Sequence, residues 1–282
     1  MPGSSSSSGD RRILVTGASS GIGRAVARRF AREGWTVLGT SRHPETLRDP
    51  LPGVTYLRLD QSDLASIHEC AKAAEDVDVL VNNAGESQGG PIEHLDPAAI
   101  ERLFQVDVFG PLELTRRLLP RMRDRGHGHV VFVGSLMADF PVPFQGGYAA
   151  AKTALRAFAT ALRAEVAPFG VRVSVLQPGY YRSEINDRRE WHTAPDSPYE
   201  ERLGRVMDAV GAAHAAAGDP AEVAARVARL VASGQPPAVS CVGSHGSVLR
   251  FVRRFVPDRT AERMVAHRYG LATKRSVRID RH

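Results

Sequence analysis

The residues between the first apolar run and the first helical pattern limit the fold more than any other part of the chain. Residues 12–16 predict a short buried strand and residues 21–33 predict a helix. Gly17 lies between them, and Gly21 and Gly23 lie at the start of the helix. Gly17 lets the chain turn tightly, Gly21 lets a pyrophosphate approach the backbone, and Gly23 lets the helix pack on the strand. The N–H groups of the helix N-terminus would then face phosphates. This order predicts the opening of a dinucleotide-binding fold, although the spacing G-x-x-x-G-x-G also fits an ordinary strand-to-helix loop.

Residues 133–152 carry a hydroxyl, a phenol and an amine at spacings that can bring them together. If Tyr148 opens a helix, Lys152 lies one turn further along the same face. An ammonium a few ångströms from a phenol favours the phenolate, which makes Tyr148 a candidate general acid or base. Ser135 ends an apolar strand, so its hydroxyl can hydrogen-bond the oxygen that Tyr148 protonates. The alternative is a chance Tyr-x-x-x-Lys pair on a helix surface. The pair therefore indicates a catalytic site only in combination with the glycine turn.

Length and composition restrict the remaining choices. The chain has 282 residues, 43% of them hydrophobic, which suits one domain around a large core. No apolar run reaches the roughly 18 residues that span a bilayer, and the N-terminus does not resemble a signal peptide, so we expect a soluble, cytoplasmic protein. Cys70 and Cys241 are the only cysteines, which leaves neither a disulfide framework nor a metal cluster. We expect Cys70 to pack against the sheet.

The net charge of +6 comes from one end of the chain. Residues 250–282 hold ten Arg or Lys and three Asp or Glu, a balance of +7, so the other residues sum to −1. A neutral body with a basic tail does not favour nucleic acid as a partner. Residues 1–10, MPGSSSSSGD, are polar and of low complexity, which predicts disorder.

Five motifs in one order resemble those of the short-chain dehydrogenase/reductase family, over roughly residues 11–235. They are TGASSGIG (16–23), NNAG (82–85), Ser135, YAAAK (148–152) and Pro178-Gly179. The resemblance implies a Rossmann-type doubly wound parallel sheet in a single three-layer α/β/α domain. Apolar runs predict further strands at 35–40, 54–59, 77–81, 171–176 and 238–242, and helical patterns predict helices at 97–125, 148–169 and 220–232.

The resemblance also implies roles for individual residues. Ser135, Tyr148 and Lys152 would be catalytic, with Asp107 as a fourth predicted catalytic residue, and Lys152 would also hold the nicotinamide ribose. Asp60 matches an aspartate that contacts adenine, and Ser183 a hydroxyl that binds the carboxamide. The resemblance implies that Asn82 and Asn83 brace the sheet, and the alternative is that they form a simple Asn-rich turn. The predicted cofactor-binding residues are Gly17, Ser19, Ser20, Gly21, Ile22, Gly23, Ser41, Arg42, Asp60, Asn83, Ala84, Gly85, Tyr148, Lys152, Pro178, Gly179 and Ser183.

The end of the second predicted strand favours NADP(H) as the cofactor. An enzyme for NAD usually carries Asp or Glu there for the ribose 2′-OH, and that acid would repel a 2′-phosphate. Here the strand ends Thr40-Ser41-Arg42, without an acid. Arg42 offers a phosphate a bidentate partner. The alternative is that Arg42 is merely solvated.

The segment between Ser135 and Tyr148 must flank the reacting carbonyl. Apart from Asp139, which we expect to cap a turn or face solvent, it is mostly apolar, with Leu136, Met137, Ala138, Phe140, Pro141, Val142, Pro143 and Phe144. Such a wall suits a hydrophobic or polycyclic substrate better than a sugar. The stretches DVFG, LLPRM and LRAEVAPFGVRVSVLQPG also resemble the hydroxysteroid and retinol dehydrogenase branch. We therefore predict a ketoreductase, and the resemblance implies a homodimer or homotetramer paired through the two long helices.

The chain beyond Pro178 carries fewer signals. Residues 180–218 predict a charged insertion that forms a mobile lid on the domain of residues 11–245. Residues 246–282 predict a basic helical extension, in which Val248, Leu249, Val252, Phe255 and Val256 form an apolar stripe opposite Arg250, Arg253 and Arg254. We expect this helix to pack on the body of the protein, and a helix on a membrane surface is the alternative.

Asp107 departs from the family pattern, because VDVFG stands where the family carries asparagine in a VNVFG-like stretch. The family asparagine lies at a kink in the long helix, where its backbone carbonyl holds a water linked to the catalytic lysine. An ionised Asp107 about 6 Å from Lys152 would partly cancel the field of that lysine at Tyr148 and favour ketone reduction. This departure leaves two hypotheses open, an NADP(H)-dependent oxidoreductase and a catalytically weak NADP-binding scaffold or sensor.

Overall fold

A sheet of seven parallel strands forms the centre of the computed structural model, which describes residues 11–185, 187–243, 253 and 255–271. Its strands are β1 (Arg12–Val15), β2 (Thr36–Ser41), β3 (Val54–Arg58), β4 (Val79–Asn82), β6 (Gly128–Val133), β7 (Val171–Pro178) and β9 (Val239–Val242). They lie in the order β3-β2-β1-β4-β6-β7-β9. The short strands β5 (Gln88–Gly89) and β8 (Glu190–Trp191) pair with each other in a second sheet.

The central strands are mostly apolar and almost entirely buried because helices cover both faces of the sheet. Alternate residues of β1 point into two separate cores. Ile13 and Val15 belong to the core under α1 (Gly21–Arg32) and α7 (Pro220–Ala232). Leu14 belongs to the opposite core, which α2 (Leu64–Ala73), α4 (Gly110–Asp124) and α5 (Gly146–Val166) cover. Cys70 lies in this second core, as predicted.

Three helices begin at an aspartate whose side chain accepts a backbone N–H two residues further on, the usual way to satisfy a free helix amide. These aspartates are Asp63 before α2, Asp96 before α3 (Pro97–Phe104) and Asp219 before α7. Two further helices, α6 (Glu200–Ala215) and α8 (Asp258–Arg268), lie in the C-terminal part.

The predicted fold class is confirmed, and so are the helix at 220–232 and the last strand at 238–242, here β9. The predicted helix at 97–125 is present as one unbroken helical run over residues 97–124, in which a π-helical turn, Gln105–Phe109, lies between α3 and α4. The helix expected to open at Tyr148 begins two residues earlier, at Gly146. Most of the other predicted bounds differ from the structure by one or two residues.

The insertion at 180–218 is largely ordered structure, since it contains β8 and the sixteen-residue helix α6. Its mobility stays a prediction. Val206 and Val210 of α6 pack with Tyr269 and Leu271, which follow α8. The end of the described chain therefore packs on the predicted lid.

Parts of the C-terminal prediction lie outside the described residues, namely Val248, Leu249, Arg250, Val252 and Arg254, as does the predicted disorder of 1–10. Phe255 is 72% exposed. Arg253 forms an ion pair with Asp258 and donates Nε–H to the carbonyl of Asp139. Asp139 is the residue that ends the turn Leu136–Ala138, as one of its two expected roles required, and its side chain forms an ion pair with Arg156 in place of facing solvent.

Within the described ranges, no helix combines the length and apolar character needed to cross a lipid bilayer.

Candidate active site

The turn after β1 depends on its glycines. Gly17 and Gly21 take φ of 67° and 52°, in the left-handed region that side chains disfavour. A Cβ on Gly23 would lie 2.2 Å from the carbonyl oxygen of Gly17 and 2.5 Å from Asn83 Nδ2. Gly23 thus allows α1 to pack closely on the residues that directly follow β1 and β4, Gly17 and Asn83.

The N-terminus of α1 faces the same turn. Within the described structure, the side chain of Ser20 makes no hydrogen bond that caps the helix. The first amides of α1 are therefore left for another acceptor, and phosphate is the group that such a helix end binds best.

Thr16 links this turn to the NNAG motif, a role that the sequence interpretation missed. Its Oγ1 accepts the backbone N–H groups of Asn83 and Ala84, both at 2.9 Å. Asn83 Nδ2 in turn donates to the carbonyl of Thr16 at 2.9 Å, and Asn82 Nδ2 donates to Thr115 Oγ1 at 2.9 Å. Both asparagines therefore hold neighbouring segments together at the carboxyl ends of the strands, whereas a simple Asn-rich turn would not need these contacts.

Ser135, Tyr148 and Lys152 all line one cleft at the carboxyl ends of the strands. Ser135 follows β6, and its Oγ accepts the backbone N–H of Met137 at 3.2 Å, which leaves the hydroxyl proton available for a ligand. Tyr148 and Lys152 lie one turn apart on α5, with Lys152 Nζ 5.6 Å from the centre of the Tyr148 ring. The structure therefore places the hydroxyl, the phenol and the ammonium along one cleft, and their joint catalytic role stays a prediction.

Asp107 forms an ion pair with Lys152, with Oδ2 3.0 Å from Nζ. The separation of about 6 Å expected from the sequence is wrong. The π-helical turn carries Asp107 inward, where it is fully buried and its Oδ1 accepts the N–H of Glu86 at 2.8 Å. A Cβ on Gly85 would lie 3.0 Å from Oδ1, so the glycine of NNAG leaves room for this carboxylate.

The two charges of this pair affect each other. Burial raises the pKa of the Asp107 carboxyl above its usual range, against the opposing effects of Lys152 and the Glu86 N–H. Burial alone would lower the pKa of Lys152, but Asp107 and the phenol of Tyr148 raise it overall. Lys152 is thus held as an ammonium by a carboxylate on one side and lies beside a phenol on the other.

The far end of the cleft holds the residues predicted for the adenosine. Ser41 ends β2 and Arg42 follows it, and both line the cleft. Asp60 lies beneath them, where its Oδ1 accepts the N–H of Ser62 at 2.9 Å and the hydroxyl of Ser62 at 2.6 Å. Burial acts to raise the pKa of Asp60, but the Ser62 hydrogen bonds and the charge of Arg42 lower it overall. The arginine side chain is exposed and so accessible to a phosphate.

At the opposite end, Pro178 closes β7, and Gly179 donates its N–H to the carbonyl of Val242 at 3.0 Å. Ser183 Oγ accepts the N–H of Ile185 at 3.2 Å. A Cβ on Gly21 would lie 3.0 Å from the Cβ of Ser183, so the glycine turn and the segment after β7 meet here.

These residues share a single cleft with a volume of about 980 Å³. All of the predicted cofactor-binding residues line it except Gly23, which lies behind the turn, and Asp107 lies behind Lys152. The N-terminus of α1, Arg42 and Tyr148 thus line one and the same cleft.

The predicted apolar wall is only partly in place. Of its eight residues Met137 lines the cleft, whereas Val142 and Phe144 pack beside Tyr148 in a cluster with Tyr180, Trp191 and Tyr269. The sequence interpretation also missed polar residues at the substrate end of the cleft, namely Glu86, Ser87, Gln88 and Arg189. Glu86, Ser87 and Gln88 directly follow NNAG, and this position was the sequence signal that could have identified them. Nothing in the sequence pointed to Arg189.

Comparison with known proteins matches residues 11–193 to the family model described as short chain dehydrogenase. Dehydrogenase/reductase SDR family member 7B from Danio rerio is 34% identical over 241 residues, which cover 79% of this chain and 74% of that protein. A 3-ketodihydrosphingosine reductase from Bacteroides thetaiotaomicron is 29% identical over 243 residues, which cover 84% of this chain and 89% of that protein.

Solved structures show the same similarity. A short-chain dehydrogenase from Streptomyces avermitilis has a TM-score of 0.77 and 32% identity, covering 89% of this chain and 96% of that one. Similar structures bind either nicotinamide cofactor. A metagenomic short-chain oxidoreductase is in complex with NADP (28% identity, TM-score 0.65, covering 83% and 96%), and one from Burkholderia phymatum is in complex with NAD (25%, 0.72, covering 86% and 92%).

Proposed function

Because the chain belongs to the short-chain dehydrogenase/reductase family of oxidoreductases, we propose that it is an NADP(H)-dependent reductase of ketones on hydrophobic small molecules. The observation that supports this most directly is that Ser135, Tyr148 and Lys152 line the same cleft as the glycine turn and Arg42.

Bound NADPH would supply the hydride for such a reduction. The residues of the chain then have to polarise the ketone and deliver a proton. Ser135 Oγ can donate a hydrogen bond to the ketone oxygen, and Tyr148 Oη donates the proton that this oxygen takes up. Lys152 keeps a positive charge beside the phenol, which stabilises the phenolate left after proton transfer.

The preference for NADP(H) rests on Arg42. The exposed guanidinium lines the cleft beside Ser41, and no acidic residue follows β2 directly. A charge-assisted contact to a 2′-phosphate stabilises binding by about 1.5–3 kcal/mol. The uncapped amides of α1 would hold the pyrophosphate, and Asp60 would contact the adenine.

The hydrophobic substrate is supported by the aromatic and apolar cluster beside Tyr148, which includes Met137, Phe144, Tyr180 and Trp191. One similar protein is named for the reduction of 3-ketodihydrosphingosine, and a ketone with a long apolar chain would suit such a cluster. A hydroxysteroid or retinoid substrate is a more specific form of the same proposal.

The proposal includes a homodimer or homotetramer. Phe109, next to α4, and Phe158, on α5, are 50% and 48% exposed, on the two long helices that the sequence interpretation expected to pair. Sedimentation of the purified protein tests this arrangement, with Phe158→Asp as the variant expected to release monomers.

The test of function is NADPH oxidation with a panel of apolar ketones. We expect turnover by the wild type, no turnover by Tyr148→Phe, and nearly unchanged NADPH affinity in that variant, because only the transferable proton is removed. Lys152→Ala should weaken both binding and rate. Turnover by Tyr148→Phe would remove Tyr148 from the mechanism.

A second candidate function is a catalytically weak NADP-binding scaffold or sensor. The observation that favours it is the 3.0 Å contact between Asp107 and Lys152, which partly neutralises the lysine. Tight NADPH binding by a wild type that reduces no ketone, together with turnover by Asp107→Asn, would favour this candidate.

A further inference from the structure

The ion pair with Asp107 weakens the effect of Lys152 on the catalytic phenol. The carboxylate lies 3.0 Å from Nζ, and the ammonium lies 5.6 Å from the centre of the Tyr148 ring. A negative charge so close to the ammonium opposes its stabilisation of a phenolate. A further positive charge near Tyr148 would restore what the carboxylate removes.

Arg189 comes from the insertion and lines the substrate end of the same cleft. It directly precedes β8, whose Trp191 pairs with Gly89 of β5. Its Nε–H donates to Ser87 Oγ at 2.9 Å, and its guanidinium lies 5.6 Å from the centre of the Trp191 ring. Two segments that are distant in the sequence thus fix the direction of this side chain.

Both anchors of that side chain lie beside the catalytic phenol. β5, which follows Ser87, contacts the N-terminal turn of α5, since Gln88 Nε2 lies 3.3 Å from the position that a Cβ on Gly147 would take. Trp191 packs in one apolar cluster with Tyr148. These contacts hold the guanidinium on the side of the cleft where the phenol lies.

The charge of Arg189 acts on the groups around it. Burial lowers the pKa of this guanidinium, while the phenols of Tyr148 and Tyr180 act in the opposite direction. Burial, and after it the charge of Arg189, lower the pKa of His214 to about 4 against the effect of Asp187. An arginine in a protein keeps its proton, so its positive charge is present at every pH at which the catalytic phenol titrates.

Other ionisable groups share this end of the cleft. Glu86 is paired with Arg102 at 3.3 Å, and its pKa is raised, chiefly by burial. Glu190 is exposed to solvent, which screens its charge. Tyr180 and Tyr269 share a hydrogen bond of 3.0 Å between their hydroxyls, and burial raises the pKa of Tyr180, which keeps that phenol neutral. The charges that act most on the catalytic phenol are therefore the guanidinium and the lysine–carboxylate pair.

We propose that Arg189 stabilises the phenolate form of Tyr148 and thereby restores the positive field that Asp107 removes from Lys152. This inference rests on Tyr148 as the acid and base of the proposed function. Tyr148 transfers the proton, and Arg189 acts through it as an electrostatic positioning residue. The pairing of β8 with β5 gains a role in this step, because it brings the guanidinium to the phenol.

The direct test is a pH titration of Tyr148, followed by the ultraviolet absorbance of tyrosinate in the purified protein with bound NADP⁺. Subtracting the curve of the Tyr148→Phe variant isolates this phenol from the others. We expect Arg189→Gln, measured against its own double variant with Tyr148→Phe, to raise the pKa of Tyr148 by on the order of one unit, since removing a nearby cation disfavours the phenolate. Arg189→Lys retains the charge and should keep the pKa near the wild-type value.

Arg188→Gln is the matched control, because this neighbouring arginine is exposed and forms an ion pair with Glu184. It should leave the pKa of Tyr148 unchanged. An unchanged pKa in Arg189→Gln would overturn the inference, as would a pKa in Arg189→Lys as high as in Arg189→Gln, which would assign the effect to shape instead of charge. If Arg189→Gln does not fold, Arg189→Met, which also removes the charge, provides the same measurement.

Kinetics separate this inference from the proposed function. In the oxidation of a hydrophobic secondary alcohol with NADP⁺, Arg189→Gln should move the rising limb of the pH–rate profile to higher pH by the same amount as in the titration. Adding Asp107→Asn, which removes the opposing charge, should return the limb towards its wild-type position. If no substrate turns over, the proposed function fails, and the titration still decides whether Arg189 acts on the phenol. Turnover by an enzyme whose Tyr148 pKa does not respond to Arg189→Gln would overturn this inference alone.

Discussion

Replacing Asp107 by asparagine should shift the pH dependence of alcohol oxidation. The substitution keeps the size of the side chain and removes its charge. With an effective dielectric constant near 20, an ammonium 5.6 Å from the Tyr148 ring stabilises a phenolate by about 3 kcal/mol. The carboxylate lies 3.0 Å from that ammonium, hence within about 9 Å of the ring, and opposes the phenolate by about 2 kcal/mol.

The assay is the oxidation rate of a hydrophobic secondary alcohol with NADP⁺ as a function of pH. Oxidation requires the phenolate as base, so the rate rises with pH as the phenol loses its proton. Removing the carboxylate charge favours the phenolate, and the rising limb should therefore move to lower pH by on the order of one unit. The wild type, with the carboxylate present, is correspondingly biased towards ketone reduction.

The control is Asp139→Asn, the same chemical change at a carboxylate that is paired with Arg156. Its pH profile should follow that of the wild type. A rising limb that stays in place in an active Asp107→Asn enzyme would show that the carboxylate exerts no field at the phenol. A shift to higher pH would mean that Lys152 needs Asp107 to keep its proton.

Three further outcomes follow from the structure. Arg42→Asp should weaken NADPH binding well over tenfold and NADH binding much less, which a fluorescence titration with both cofactors measures. Gly23→Ala should lower the free energy of unfolding by about 1–3 kcal/mol through its clash with the turn, whereas Gly204→Ala, with no atom within 4 Å of the new Cβ in the described structure, should raise stability slightly. The pKa of Glu113 is lowered to about 2 by hydrogen bonds led by that of Arg116, so its stabilising effect is present above pH 4.5 and is lost as pH falls towards 2. Denaturant titrations of Glu113→Gln should show a loss of about 1 kcal/mol at neutral pH that shrinks over this range.

The fold was predictable because its signals are local. The glycine turn, the buried strands and the helix at 220–232 each follow from composition and period within a short window, and β9 was found although its sequence carries no motif. Ser135, Tyr148 and Lys152 were also accessible, since all three lie within one continuous stretch that connects β6 to α5.

The contacts that were missed depend on distant segments. Arg189 reaches the cleft because β8 pairs with β5, and two-residue strands leave no readable pattern. The distance from Asp107 to Lys152 was misjudged because a contact between two helices cannot be read from the sequence of either one; in the structure the π-helical turn holds the buried carboxylate 3.0 Å from Nζ. The wall after Ser135 was overestimated because, of its eight apolar residues, only Met137 lines the cleft, while Pro141 is exposed and Leu136, Phe140, Pro143 and Phe144 are half-buried elsewhere.

The same carboxylate connects the two ends of the active site. Asp107 Oδ2 contacts Lys152, and Oδ1 holds the N–H of Glu86, two residues before Gln88. Asparagine retains an oxygen for the Glu86 N–H but presents an amide donor to the ammonium, so Asp107→Asn should release Lys152 while the loop keeps its place. Alanine supplies neither group. Asp107→Ala should therefore lower kcat/KM for the ketone further than Asp107→Asn does, because the loop after NNAG also loses its support, and equal values for the two variants would show that the pairing of β5 with β8 holds this loop without Asp107.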